Sequence, residues 1–381
     1  MENIKILIIS PYLPSRDTTG FARKVHDFIR LANQRGHLIY LLSFCSQADK
    51  KRVSLISPYC RQVNLEYLSD YRRYPGRSLY FEKTIRKLVE TKVIDILQCE
   101  NSYLRRYLPE GIDTPSVLVE HEVLSASFLE RAGFEGNYIK QQILYARAAK
   151  KIREEKRWYK KFDRVIVFSQ TDKQYLTNRY KLDNLAVVAL GIDSGEYLPV
   201  PESAKTYDLI FTGNFSHAPN EDAVLYFCKE VLPLIKEKIP GVNFLVAGEA
   251  PSLAIKDLSR IDQQITVSGY VEDLKNLYAQ SRVFIAPIRY GTGMRFKILE
   301  ALALQNAVVT TSVGARGIEA KDIMRIADSK QEFAAAVIEL LKDDRRQREL
   351  SARGRQAIRD YYDWGSLLDK YEDIYRTLLN N

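Results

Sequence analysis

The sequence predicts an α/β protein built from two doubly wound, Rossmann-like domains. Three observations predict it. Short apolar runs rich in Val and Ile alternate with helix-like segments along the whole chain, as expected for parallel strands buried on both faces and covered by helices. The alternation restarts near residue 208, after the Pro-bearing stretch YLPVPESAKTYD (197–208). The length, 381 residues, exceeds one typical domain of roughly 100–200 residues.

The first half supplies strand-like runs at 4–10, 38–44, 94–98, 116–120 and 164–169. The second supplies them at 208–213, 243–248, 265–269, 283–287 and 307–311. Between them lie helical patterns such as EDAVLYFCKEVLPLIKEKI (221–239). The charged stretch YARAAKKIREEKRWYKKFD (145–163) reads as a solvated helix face. Residues 197–208 read as a linker, which sets domains at 1–195 and 196–365.

Composition narrows the class. Hydrophobic residues make up 46% and charged residues 28%, which excludes a disordered, collagenous or coiled-coil chain. No run of 18 apolar residues offers a bilayer span. The start, MENIKILIISPYLPSRD, lacks a basic segment and a small-residue cleavage site, so export by a signal peptide is not expected. Cys45, Cys60, Cys99 and Cys228 form no CxxC pair, which argues for cytoplasmic thiols rather than a zinc ribbon or disulfide scaffold. Net charge is +9, and it is uneven: residues 1–200 hold 33 Lys+Arg against 23 Asp+Glu. That asymmetry points to an anionic partner for the first half, or to a merely soluble surface.

In doubly wound sheets, ligands sit outside the carboxyl ends of strands. The sharpest candidate follows the run at 283–287: a Gly-rich turn, Gly291-Thr292-Gly293, then a predicted helix from Met294 to about Leu304. Such a turn admits a phosphate to the backbone, and the helix start offers N–H donors. Arg295 and Lys297 fall in the predicted first turn, where cations oppose the helix dipole by roughly 0.3–1 kcal/mol each unless an anion binds. Glu300 lies further along, on an otherwise apolar helix, and a carboxylate can accept from both hydroxyls of a ribose. The plain alternatives are an ordinary βα turn and a salt-bridging glutamate. No GxGxxG or GxxxxGK[ST] occurs.

Two further segments follow strands. His121 stands just past the run at 116–120, between Glu120 and Glu122, and suits a substrate hydroxyl or a structural role alike. TGNFSHAPNEDA (212–223) places Gly213 and Asn214 in a turn, with Asn220 or Asp222 expected to cap the next helix and His217 functional or simply exposed.

ILIISPYLPS, RGHLIYLLSF, RVIVFSQTDKQYL, ALGIDSGEYLP, DLIFTGNFSHAPNEDAV and ITVSGYVEDLKNLYAQSRVFIAPIRYGTGMRFKILEALA, in that order, resemble the GT-B glycosyltransferases of the retaining family-4 type, over almost the whole chain. The resemblance implies two Rossmann-like domains facing each other across a cleft. The first would bind the acceptor and the second the nucleotide sugar, and a C-terminal helix, about 366–381, would pack back on the first. It implies transfer of a hexosyl or N-acetylhexosaminyl group from a donor such as a UDP- or GDP-sugar to an acceptor hydroxyl. His121 would lie near the donor sugar, Glu300 on the ribose, and the backbone of Tyr270 and Val271 at the base. Arg295 and Lys297 would face the diphosphate, and Gly20 would lie in a loop close to donor and acceptor.

Departures accompany the match. The first glutamate of the family's E-x7-E pattern falls on Thr292, and the first-loop diglycine reads Thr19-Gly20. Contact to the sugar hydroxyls is then expected from the backbone of Gly291, Thr292, Gly293 and Met294. No two aspartates are separated by one residue, so the DxD device for a metal is missing and metal-independent transfer, without a cofactor, is expected. A catalytically altered homologue that binds nucleotide sugar, a dinucleotide-dependent oxidoreductase and a basic nucleic-acid-binding protein are the alternatives; nucleic acid is not the expected partner.

The segment YLSDYRRYPGRSLYF (67–81) interleaves Tyr and Phe with Arg72, Arg73 and Arg77. Tyrosine suits a membrane interface and arginine suits phosphate. A lipid-linked acceptor at an anionic membrane surface is the expectation, as in cell-surface polysaccharide synthesis, with the protein cytoplasmic and peripheral on the inner face. A solvated loop is the alternative.

Overall fold

The continuous apolar runs form strands whose side chains are buried on both faces. A computed structural model describes residues 3–16, 20–69, 78–201, 205–319 and 321–380. The chain divides into two units: residues 1–132, 136–191 and 364–381, and residues 133–135 and 192–363.

In the first unit the strands are β1 (Lys5–Ser10), β2 (Leu38–Ser46), β3 (Gln62–Leu68), β4 (Ile96–Glu100), β5 (Ser116–Val119), β6 (Arg164–Val167) and β7 (Leu185–Val187). They pair in parallel in the order β3-β2-β1-β4-β5-β6-β7. The chain winds outward through β2 and β3, then returns to lay β4 beside β1. That reversal makes a switch point at the carboxyl ends of β1 and β4, the place where ligands bind in open α/β sheets.

The second unit repeats the plan. Its strands are β8 (Tyr207–Thr212), β9 (Phe244–Ala247), β10 (Ile265–Gly269), β11 (Ser281–Ala286), β12 (Ala307–Thr310) and β13 (Arg325–Ile326). The order β10-β9-β8-β11-β12-β13 puts the switch point between β8 and β11.

Three strands escape an apolar-run reading. The β3 sequence QVNLEYL is broken by polar residues because this edge strand is only partly buried. The strands β7 and β13 are edge strands of three and two residues, too short to make a run. The pattern at 221–239 is a helix over Ala218–Lys236, with a wide turn at Phe227–Val231. That turn lies just before Pro233, whose missing N–H and ring disrupt regular helical bonding.

The charged stretch 145–163 is not wholly a solvated face. Within the helix Tyr138–Tyr159, Glu155 is buried. It accepts from Ser125 N at 2.9 Å and from the Tyr180 hydroxyl at 2.7 Å. The stretch 197–208 is likewise not all linker: Tyr197 is buried, and β8 already begins at Tyr207.

The helix Trp364–Leu379 belongs to the first unit. Tyr371 packs on Phe28, ring centroids 5.0 Å apart, and Glu372 meets His37 at 3.2 Å. A Cβ at Gly191 would lie 2.5 Å from the Trp364 ring, so only glycine lets the chain pass there. Among the described residues no helix is long and apolar enough to cross a membrane. The four cysteines are free.

Candidate active site

In the second unit, two glycines bring the ends of β8 and β9 together. Gly248 has φ +143°, and a Cβ there would lie 1.9 Å from the Gly213 carbonyl oxygen. A Cβ on Gly213 would in turn lie 2.9 Å from both Lys297 Nζ and Asn220 Nδ2. The loop therefore needs glycine twice, and what crowds it is a cation. Asn214 shapes the loop, accepting from Ser216 N at 2.9 Å and donating to Glu249 at 3.1 Å.

Neither Asn220 nor Asp222 caps the next helix, contrary to expectation. His217 holds the N-cap position without a side-chain bond and is exposed. Asn220 instead donates to the Asn214 carbonyl at 2.7 Å and accepts from Lys297 at 2.7 Å. Asp222 pairs with Arg289.

Lys297 lies in the first turn of the helix Phe296–Ala303. Its ammonium also donates to the Thr212 carbonyl at 2.5 Å and sits 4.2 Å from the Phe211 ring centre. Burial lowers its pKa to about 7; the Arg295 charge adds to the effect and Glu300 opposes it. A cation held this way gains strongly from a neighbouring anion.

Arg295 is not in the first helical turn, as the sequence reading had it. The helix starts at Phe296, and Arg295 is its N-cap residue, with φ −93° and ψ 97°. Its guanidinium folds back on the preceding loop, donating to the carbonyls of Gly291, at 2.6 Å, and Thr292. Trans-peptide geometry then turns the N–H groups of Thr292 and Gly293 to the opposite side of the loop. Gly291 and Gly293 have φ +112° and +79°, values that disfavour side chains. Thr292 is buried; Met294 is partly exposed.

Glu300 is buried one turn on from Lys297. Its carboxylate accepts from the Tyr197 hydroxyl at 3.1 Å and faces the Tyr278 hydroxyl at 3.5 Å. Tyr270 is exposed and Val271 partly so, just beyond the carboxyl end of β10. Gly213, Asn214, Gly291–Lys297, Tyr270 and Val271 thus all follow the carboxyl ends of strands of one sheet.

In the first unit, Gly20 is exposed at the start of the helix Gly20–Gln34, and residues 17–19, including Thr19, lie outside the described residues. His121 stands two residues past β5. Its Nε2 lies 2.7 Å from Glu100 Oε2, at the end of the neighbouring β4. Its ring lies against Phe21, centroids 4.1 Å apart, and edge-on to Phe168, at 5.2 Å. Burial and the Lys24 charge lower the His121 pKa to about 4, although Glu100 pulls the other way. Lys24 is itself lowered to about 7 by burial, opposed by Glu100. Glu100 ends below the usual carboxylate range: burial works to raise it, but the His121 bond and the Lys24 charge outweigh burial.

Sequence reasoning missed Glu100, Lys24, Tyr197 and the bridging role of Asn220. The one signal for Glu100 was a polar pair, Gln98 and Glu100, on one face of an otherwise apolar strand. The segment 67–81 is only partly described. Arg72, Arg73 and Arg77 lie outside the described residues, while Tyr67, Leu79 and Tyr80 flank them exposed. Phe81 belongs to the core, stacked on Phe44 at 4.1 Å, and not to a surface patch.

Residues 18–196 match the glycosyltransferase family 4 model, and residues 206–343 match the glycosyl transferases group 1 model. A Klebsiella pneumoniae relative, an uncharacterized 44.6 kDa protein in a cps region, is 20% identical, over 94% of this chain and 96% of its own. Sucrose-phosphate synthase from Thermosynechococcus elongatus superposes with a TM-score of 0.75 at 16% identity, covering 99% of both chains. A glycine-to-arginine mutant of S. aureus TarM, in complex with fondaparinux, α-GlcNAc-glycerol and UDP, superposes with a TM-score of 0.74 at 11% identity, over 99% of this chain and 100% of its own. None of these matches supports the oxidoreductase or nucleic-acid alternatives. The two adjoining family matches and the paired parallel sheets lead to one conclusion: the chain belongs to the group 1, family-4 glycosyltransferases and has their GT-B fold.

Proposed function

We propose that this glycosyltransferase moves a hexosyl or N-acetylhexosaminyl group from a nucleoside diphosphate, such as a UDP- or GDP-sugar, to an acceptor hydroxyl, with retention and without a metal. The observation that carries the proposal is Lys297, a partly buried ammonium with its pKa lowered to about 7, packed against Gly213 at the carboxyl end of β8. Departure of a diphosphate builds negative charge. Lys297, Arg295 and the N–H groups of Thr292, Gly293 and the helix start would stabilise that charge. Glu300 would hold the ribose, the backbone of Tyr270 and Val271 the base, and Gly213 and Asn214 the phosphates. His121 would lie near the donor sugar, and Gly20 would lie in the loop close to donor and acceptor. As the family resemblance implies, the acceptor would attack from the face the diphosphate leaves, and a diphosphate oxygen would take the acceptor proton.

The acceptor is proposed to be lipid-linked, at the anionic inner face of a membrane, in the building of a cell-surface polysaccharide or glycolipid. The relative in a cps region supports that setting. So does the helix Tyr138–Tyr159, which exposes Tyr138 (73%), Ile139 (71%) and Ile143 (49%) next to the basic residues Lys140 and Arg147.

The test is turnover of UDP- and GDP-sugars in the presence of EDTA, with the anomeric configuration of the product read by proton NMR. Diphosphate release and retained configuration are expected. Strict metal dependence or inversion would contradict the proposal. Donor binding with no release from any sugar would favour the altered homologue, a reading to which Thr292, at the place of the family's first glutamate, lends support.

A further inference from the structure

Glu100 receives two donors. His121 Nε2 lies 2.7 Å from one oxygen, and Gln98 Nε2 donates to the other at 2.6 Å. The Gln98 carbonyl oxygen in turn accepts from the Tyr375 hydroxyl, on the helix Trp364–Leu379. Tyr375, Gln98 and Glu100 are all buried. The chain of bonds therefore has one direction: the Tyr375 hydroxyl donates to Gln98, Gln98 donates to Glu100, and Glu100 has only lone pairs left for His121.

The strand register supports this placement. Glu100 pairs with Val119 across β4 and β5, so Glu100 and His121 leave the sheet at the same edge. The buried Lys24 ammonium sits 3.9 Å from the Phe168 ring centre, and its charge favours the ionised form of Glu100. Tyr371, Tyr375 and Cys99 also feel the Glu100 charge, and burial pushes all three above their ordinary range.

We propose that Glu100 is a positioning residue which, held by Gln98 and Tyr375 and charge-balanced by Lys24, locks His121 as the neutral tautomer with its proton on Nε2 and leaves Nδ1 as the acceptor for the reacting sugar. The ring lies between Phe21 and Phe168, which limits rotation, so the tautomer decides which atom can take a hydroxyl proton. The proposal rests on the reading of His121 as the sugar-side residue.

The same directionality gives a sharp test. In Glu100→Gln, with the Tyr375 hydroxyl still donating to Gln98, the amide oxygen accepts from Gln98, which turns the amide NH2 toward His121. The ring nitrogen facing it must then accept, and the proton moves to Nδ1. Histidine ring-15N long-range correlation spectra of the full chain at pH 7 report the tautomer, with the His121 signals assigned by their loss in His121→Ala. The wild type should show Nε2–H, and Glu100→Gln should show mainly Nδ1–H, with kcat lowered about 10- to 100-fold and donor KM within about twofold. A wild-type ring that is Nδ1–H or doubly protonated overturns the proposal whether or not the variant folds. An unchanged tautomer in folded Glu100→Gln overturns it too, as does unchanged kcat. Full transfer by His121→Ala would instead remove the role of His121, a separate failure from that of the bond network.

Discussion

Lys297 Nζ lies 2.7 Å from the side-chain oxygen of Asn220, joining the start of the helix Phe296–Ala303 to the segment after β8 across 77 positions of sequence. The neutral acceptors Asn220 and Thr212 hold the ammonium while burial lowers its pKa to about 7. Free protein therefore loses this proton near neutral pH, whereas a bound diphosphate would restore it. Nucleotide binding at pH 8 should take up a proton, and affinity should fall as pH rises above 7. Calorimetry in buffers of different ionisation enthalpy reads the uptake directly. Lys297→Met should abolish it; binding by the wild type with no proton uptake at pH 8 would contradict the assignment.

Arg295 grips the carbonyls of Gly291 and Thr292 with one planar fork. Arg295→Ala should cost about 2–4 kcal/mol in kcat/KM, with little change in thermal stability because the residue sits at a turn. Arg295→Lys should not rescue it, since a single ammonium on a flexible stem does not reproduce the rigid planar fork of donors that a guanidinium presents. Unaltered kcat/KM in Arg295→Ala would rule out the role.

Glu300→Gln keeps an oxygen for the Tyr197 hydroxyl, which now donates at 3.1 Å, so folding should hold. Ribose hydroxyls prefer a charged acceptor. Affinity for free UDP or GDP should drop about tenfold, roughly 1.4 kcal/mol. Loss of turnover with diphosphate affinity intact would place Glu300 elsewhere in the reaction.

Glu120 is buried beside the Tyr159 hydroxyl at 2.9 Å, and burial raises its pKa to about 8. The folded state then holds a proton that the unfolded state releases above its ordinary pKa of 4.5. This contribution to stability is present at low pH and is lost as pH rises through 8. Glu120→Gln, which keeps the shape without the charge, should gain stability relative to wild type between pH 5 and pH 9, on the order of 1 kcal/mol or more. Parallel melting curves across that range check it; a constant difference would mean the carboxyl is ionised in the folded protein.

Basic residues near anionic lipid contribute roughly 1 kcal/mol each. Binding to anionic vesicles should be salt-sensitive, and Arg72→Ser, Arg73→Ser and Arg77→Ser together should release the protein while nucleotide affinity stays. If the wild type ignores anionic vesicles at low salt, where screening is weakest, the acceptor is not at a membrane surface.

The two sheets could be read from sequence because doubly buried strands leave continuous apolar runs such as KILIIS and FLVA. Edge strands could not: QVNLEYL mixes polar with apolar residues where one edge is partly exposed. The Gly291–Lys297 turn was visible because glycine at positive φ has few substitutes. The Arg295 geometry was not, since residue types do not say whether a helix starts at 294 or 296. Glu100 and Lys24 lay hidden for a different reason. Their meaning comes from β4 and β5 lying side by side, which brings residues 21 positions apart to 2.7 Å, and from a helix that delivers Lys24 to the same buried charge.

The most direct measurement is calorimetric titration of UDP and GDP into wild type, Lys297→Met and His121→Ala, paired with transfer assays on the same samples. The wild type should bind at least one diphosphate, Lys297→Met should lose about tenfold or more in affinity together with transfer, and His121→Ala should keep the affinity while losing transfer. Equal binding by wild type and Lys297→Met would contradict the role of Lys297, because the donor would then lie away from the loops that follow β8 and β11.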